Sequence, residues 1–171
     1  HQDWNYVDER FYDSLNLWIP LQDVDEHNGC LTFLPMSHRV CYTLRTAPAF
    51  AGLFDNVMPL AEKAMVPVPL KTGEAVLFFH ATLHGSVPNR SAQRRANVVL
   101  GVYTGGKLSH HYLTGEGSRT LIEKFAIDKE KFFLIKDLRR PPTDWLIETV
   151  SFNFPQLTPE EFQHLYPETG D

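Results

Sequence analysis

The sequence predicts an all-β core followed by a helical and irregular C-terminal part, and three observations carry that expectation. Short apolar segments rich in β-branched and aromatic residues recur through residues 1–103, Gly, Pro and Asn signals punctuate them, and beyond Gly105-Gly106 the apolar spacing turns helical. Short strands joined by turns imply a sandwich or barrel.

Taken in order, residues 15–23 (LNLWIPLQD) form the first buried strand, with Pro20 marking an edge or a bulge. Asp25-Glu26-His27-Asn28-Gly29 ends in the Asn-Gly signal that commonly joins antiparallel strands, and residues 30–35 (CLTFLP) return. Residues 42–64 read as an irregular loop or lid, with a short helix near 60–65. Strict alternation with Pro in 66–70 (VPVPL) indicates an edge strand, Lys71-Thr72-Gly73 turns the chain, and 74–79 (EAVLFF) and 96–103 (ANVVLGVY) are further strands. Residues 118–125 and 128–138 have helical spacing, which Pro141-Pro142 breaks. Thr158, Pro159 and Glu161 supply the N-cap, the N1 proline and the capping box of a last helix.

At 171 residues, 43% hydrophobic and 22% charged, the chain is expected to be a single domain, with its core motifs in 1–103 and an appendage in 104–171. A chain opening directly on a ligand motif leaves its first strand unpaired upstream, so a missing N-terminal segment is also expected. A net charge of −5 with 16 scattered basic residues favours small-molecule chemistry over nucleic acid. No apolar run reaches bilayer length and no targeting signal opens the chain, so no membrane partner and a cytoplasmic location are expected. Cys30 and Cys41 are too few for a disulfide framework and are read as reduced packing residues.

His1-Gln2-Asp3 places an imidazole and a carboxylate at i and i+2, which share one face of a strand. His84, far downstream, offers a third ligand that a closing sheet would bring opposite the pair. Two histidines and one carboxylate leave open faces on an octahedral iron for O2 and an organic chelator. Alone, such a tripeptide is weak, because a strand-end histidine more often serves hydrogen bonding. Arg95, eleven residues beyond His84 at the head of ANVVLGVY, strengthens it. A guanidinium buried there needs an anion, which the far carboxylate of a metal-chelating 2-oxo acid would supply; the bland alternative is a surface residue beside Arg94.

Together these pieces resemble the phytanoyl-CoA dioxygenase family: His1-Gln2-Asp3, Asn28-Gly29-Cys30-Leu31 leading to Leu34-Pro35-Met36-Ser37-His38, Lys71-Thr72-Gly73-Glu74 with Phe78-Phe79-His80, and His84-Gly85-Ser86 through Asn89 to Arg95. The resemblance implies a double-stranded β-helix, a distorted jelly roll of cupin-like form. It implies Fe(II) held by His1, Asp3 and His84, and 2-oxoglutarate anchored through its 5-carboxylate by Arg95 and Ser86, with Gln2 and Asn89 orienting ligands or cosubstrate. The reaction implied is hydroxylation of an unactivated C–H bond using O2, with release of succinate and CO2. Halogenating relatives replace the carboxylate ligand with a small residue, whereas Asp3 is retained; desaturation and ring formation stay open.

Trp4, Tyr6, Phe11, Tyr12 and Trp18 line a substrate mouth or pack the core, with packing favoured for Trp18. His38 and His80 are expected to pack or cap rather than ligate, and the divergent His110-His111 pair to lie at the surface. Lys107, Arg119 and Lys124 are the basic residues available to an acyl-thioester substrate, with a small-molecule substrate equally open. Three other readings compete: a double-stranded β-helix acting only as a binding module, a cupin-like metal isomerase or hydrolase without 2-oxoglutarate, and a copper site at a free His1. The last two leave Arg95 without a role.

Overall fold

The computed structural model describes residues 1–40, 44–46, 52–113, 121–134 and 140–167. Nine strands form three antiparallel three-stranded sheets among these residues. In the first, β1 (Ser14–Pro20) is central between β4 (Val76–Phe79) and β6 (Asn97–Tyr103). In the second, β2 (Leu31–Phe33) is central between β3 (Val66–Val68) and β5 (His84–Ser86). From β3 to β6 the chain alternates between the two sheets.

The pleat of β1 explains which residues meet. Ser14, Asn16 and Trp18 share one face, and Trp18 packs with Phe78 of β4 against Leu31 and Phe33 of β2, Val24 and Cys30. The two sheets are thereby pressed face to face over an aromatic core, with the Phe33 and Phe78 rings edge to face at 4.9 Å. A second core gathers Leu34, Leu53, Phe54, Val57, Ala81 and Leu83. It includes Ala61 of α1 (Met58–Lys63) and Phe162 of α3 (Pro159–Leu165).

Several expectations hold in detail. β3 is an edge strand, as its alternating prolines require. α3 carries the full capping box: Thr158 Oγ1 accepts from the Glu161 N–H (3.2 Å) and Glu161 Oε2 accepts from the Thr158 N–H (2.8 Å). The short helix expected near 60–65 is α1, two residues earlier.

Others are corrected. Pro20 marks neither edge nor bulge; it is the last residue of a central strand, paired with Asn97, where the ladder ends. Asn28-Gly29 closes no hairpin, because β1 and β2 belong to different sheets. The segment instead folds on Asp25, whose Oδ1 accepts from the His27 and Asn28 N–H groups.

The C-terminal part is not simply helical and irregular. β7 (Ser109–Leu113), β8 (Leu121–Ala126) and β9 (Leu146–Ser151) form the third sheet with β8 central. Residues 121–125, expected to be helical, are therefore a strand. Their apolar positions (Leu121, Ile122, Phe125) fit either period over so short a window. Neighbours on both sides, with Ile122 and Phe125 fully buried, decide for the strand. Of the second expected helix, α2 (Lys129–Leu134) is present and residues 135–139 lie outside the described residues, as do Cys41, Arg119 and the side chains of His110 and His111. Nor does the end of the chain stand apart, since Phe162 is buried and the Leu157 N–H bonds to the Leu53 carbonyl. No helix among the described residues is long and apolar enough to cross a membrane.

Candidate metal centre

Residues 1–3 form no regular strand, yet they run alongside 80–84. The His1 nitrogen donates to the His84 carbonyl (2.8 Å), the His84 N–H returns to the His1 carbonyl (2.9 Å), and the Asp3 N–H bonds to the His80 carbonyl (3.0 Å). This pairing sets the two imidazoles side by side, with centroids 4.3 Å apart, and turns the Asp3 carboxylate toward both. His1 Nε2 lies 3.5 Å from Asp3 Oδ1, and His84 Nε2 lies 3.8 Å from Asp3 Oδ2. One ligand atom from each of the three residues falls within 4.8 Å of the other two, spacing suited to a shared ion.

The protonation states suit a metal as well. His84 Nδ1 donates to the Thr82 carbonyl at 2.9 Å, which leaves the Nε2 lone pair facing Asp3. Burial holds His84 below the ordinary imidazole pKa, so the ring is neutral as a ligand must be. Burial pushes the Asp3 carboxyl up, but the bond to His1 and the nearby imidazoles outweigh it and hold the group below its usual range. His1 is raised by its bond to Asp3, a proton that a metal would displace.

Gln2 points away from the ligands and is buried, its Nε2 donating to the Ala81 carbonyl at 2.5 Å. It fixes the 1–3 segment on the segment that carries His84. Arg45, from an irregular stretch that the sequence reading passed over, clamps the same segment. Its Nε donates to the Asp3 carbonyl (2.5 Å) and its Nη2 donates to both Glu9 carboxylate oxygens (2.6 and 2.7 Å).

Of the remaining expected residues, only Arg95 lies at Gly29. Ser86 shares a face of β5 with His84, while Arg95 lies with its guanidinium 5.7 Å from the Trp18 ring centroid and donates to the Gly29 carbonyl. Gly29 has φ +96°, and a side chain there would crowd the Val87 carbonyl at 3.2 Å, so the backbone conformation and this carbonyl favour glycine. Among the described residues, no carboxylate lies within ion-pair distance of Arg95. Asn89 is exposed and does not reach the ligands; it organises the 89–93 turn, accepting from Ser91 (2.8 Å) and donating to the Gln93 carbonyl (2.9 Å).

Of the two histidines set aside as non-ligands, His38 stacks on Phe79 and His80 is fully buried. Ser14 Oγ lies 2.5 Å from His80 Nδ1, Asn16 Oδ1 lies 2.9 Å from His80 Nε2, and Asn16 Nδ2 donates to Asp3 Oδ2 at 2.6 Å. The signal for Asn16 was present in LNLWIP: a polar residue at an inward position, in phase with Trp18. Burial lowers His80 to about 4, below the 6.5 of an ordinary imidazole. The unfolded chain therefore takes up this proton first, and stability is lost as pH falls from about 6.5 to about 4, by up to ~3 kcal/mol. Denaturant titrations at pH 7 and pH 4.5 are expected to differ in wild type by more than in His80→Gln; equal differences would exclude His80 as the source.

A cavity of about 800 Å³ lies against the third sheet, with Val7, Phe79 and Ala81 on one side and Lys124, Val150 and Phe152 on the other; His1, Asp3, His84, Ser86 and Arg95 do not line it. Lys124 is paired with Glu148 at 3.4 Å.

Residues 1–97 match the family model for phytanoyl-CoA dioxygenase, a span that takes in all seven expected site residues. The chain belongs to the phytanoyl-CoA dioxygenase family. Among curated members, it is 35% identical over 96 residues to phytanoyl-CoA dioxygenase domain-containing protein 1 of Danio rerio, covering 53% of this chain and 31% of that protein. It is 29% identical over 114 residues to a probable alpha-ketoglutarate-dependent hypophosphite dioxygenase of Stutzerimonas stutzeri, covering 59% and 37%. The phytanoyl-CoA dioxygenase family chain described here thus spans about a third of the length of these relatives. Its fold is similar to that of SnoK, a non-heme alpha ketoglutarate dependent carbocyclase from nogalamycin biosynthesis, with a TM-score of 0.50 and 24% identity, covering 68% of this chain and 47% of that one.

Proposed function

We propose that this chain is the core of an Fe(II)- and 2-oxoglutarate-dependent dioxygenase that hydroxylates an unactivated C–H bond of a small-molecule or acyl substrate, releasing succinate and CO2. The observation that carries the reading is the His1–Asp3–His84 cluster; a half-buried guanidinium, Arg95, packed on Trp18 and without a carboxylate partner among the described residues, supports it. Family membership and the SnoK-like fold support it, as does the alternation of strands between two facing sheets, which suits a double-stranded β-helix in one domain.

His1, Asp3 and His84 would hold the iron, which with 2-oxoglutarate supplies O2 activation. Three protein ligands leave room for a chelating cosubstrate and for O2. Arg95 offers its free N–H donors to the far carboxylate of 2-oxoglutarate, with Ser86 adding a hydroxyl and Trp18 shielding the pair from water. Gln2 and Asn89 act at a distance, one fixing the ligand segment and the other shaping the loop that delivers Arg95. The retained Asp3 carboxylate would fill the place a halide needs, which favours hydroxylation over halogenation.

The test is coupled formation of succinate from 2-oxoglutarate by the iron-loaded protein in the presence of O2. Arg95→Ala is expected to raise the 2-oxoglutarate KM by about 10- to 100-fold, the equivalent of one charge-assisted pair worth ~1.5–3 kcal/mol. Succinate formation with an unchanged KM in Arg95→Ala would remove Arg95 from the cosubstrate site.

A further inference from the structure

Asn16 uses both ends of its amide inside the site, and the chemistry of its partners fixes the direction of every hydrogen bond. An ionised carboxylate only accepts, so the Asn16 nitrogen must face Asp3 Oδ2, 2.6 Å away. Asn16 Oδ1 then faces His80 Nε2 at 2.9 Å and requires a proton there. Neutral His80 carries that proton on Nε2, which makes Nδ1 an acceptor for the Ser14 hydroxyl at 2.5 Å. Ser14 and His80 are buried, and Tyr6 and Tyr103 pack against the His80 ring at 5.3 and 5.9 Å, so little room is left for the imidazole to turn. One proton arrangement therefore satisfies the whole chain from Ser14 through His80 and Asn16 to Asp3.

We infer that Asn16 is a positioning residue for the Asp3 carboxylate, held in register by Ser14 and His80. The amide engages Oδ2, the oxygen 3.8 Å from His84 Nε2, and prevents the group from rotating, so that Oδ1 stays turned toward His1 Nε2 at 3.5 Å. The expected gain is in metal affinity: partners that orient a ligand typically contribute about 10- to 100-fold. The inference rests on the proposed metal centre, but Asn16 and Ser14 lie outside the family motifs quoted for this sequence.

The test is Co(II) affinity of the 171-residue chain, measured by competition with a chelating indicator and by the d–d spectrum, in wild type and Asn16→Ala. The expected result is a Kd raised about 10- to 100-fold in Asn16→Ala with an altered d–d spectrum, while the melting of the metal-free protein shifts little. Wild-type affinity and spectrum in a folded Asn16→Ala protein would overturn the role of Asn16, whereas failure of wild type to bind Co(II) would overturn the metal centre itself. Should Asn16→Ala not fold, the imidazole ¹H–¹⁵N spectrum of the wild type decides. His80 protonated at Nε2 alone supports the chain of hydrogen bonds, and His80 protonated at Nδ1 contradicts it.

Discussion

Asp3→Ala is expected to abolish metal loading and to lower succinate formation by well over ~100-fold, more than the loss of any partner that merely orients a ligand. Asp3 is the one anionic ligand of the three, and both imidazoles face it, at 3.5 and 3.8 Å. Without the carboxylate, two neutral rings would have to hold a divalent cation with no compensating charge. The measurement is Fe(II) stoichiometry after anaerobic loading and desalting, alongside succinate formation. Retention of one tightly held iron by Asp3→Ala would mean that the cluster is not the site.

The second large effect falls on stability. Arg45→Met is expected to destabilise the fold by about 3–5 kcal/mol, because it strands the Glu9 carboxylate, whose side chain is 19% exposed, without its bidentate partner. It also frees the Asp3 carbonyl from the Arg45 Nε bond. Replacing both residues, as Arg45→Met with Glu9→Leu, is expected to recover a large part of the loss, since a buried ion pair replaced whole by apolar side chains is often nearly neutral. Urea denaturation of the two variants at one pH checks this. A single variant within ~1 kcal/mol of wild type would show that the pair is effectively solvated.

How much of this was legible in the sequence depends on how local each signal is. The i, i+2 spacing of His1 and Asp3 is legible as one face of an extended segment, although residues 1–3 form no regular strand, and the HGS motif with Arg95 eleven residues on supplies the rest of the expected site. The structure brings His1, Asp3 and His84 within reach of one another, and sets Arg95 on Trp18. The Thr158 capping box was readable because its bonds span three residues. Arg45 was not, because its partners Glu9 and Asp3 are about 40 residues away and nothing in TLRTAP marks them. Asn16 falls between these cases: its inward phase is visible, but its bond to Asp3 depends on how the chain folds back. β8 was misread for a different reason. Leu121, Ile122 and Phe125 satisfy both periods, and only β7 and β9 on either side select the strand. Asn28-Gly29 forms a turn of another kind, since its glycine serves a positive φ beside the Val87 carbonyl and not a hairpin.

The most direct test of the central claim is anaerobic titration of the protein with Fe(II) and 2-oxoglutarate, followed by visible absorption. The account predicts the weak charge-transfer band of the iron–2-oxoglutarate chelate in wild type, saturating at one equivalent of iron, and requiring much more 2-oxoglutarate in Arg95→Ala. Protein that loads iron yet shows no band, with no measurable binding of 2-oxoglutarate, would contradict it.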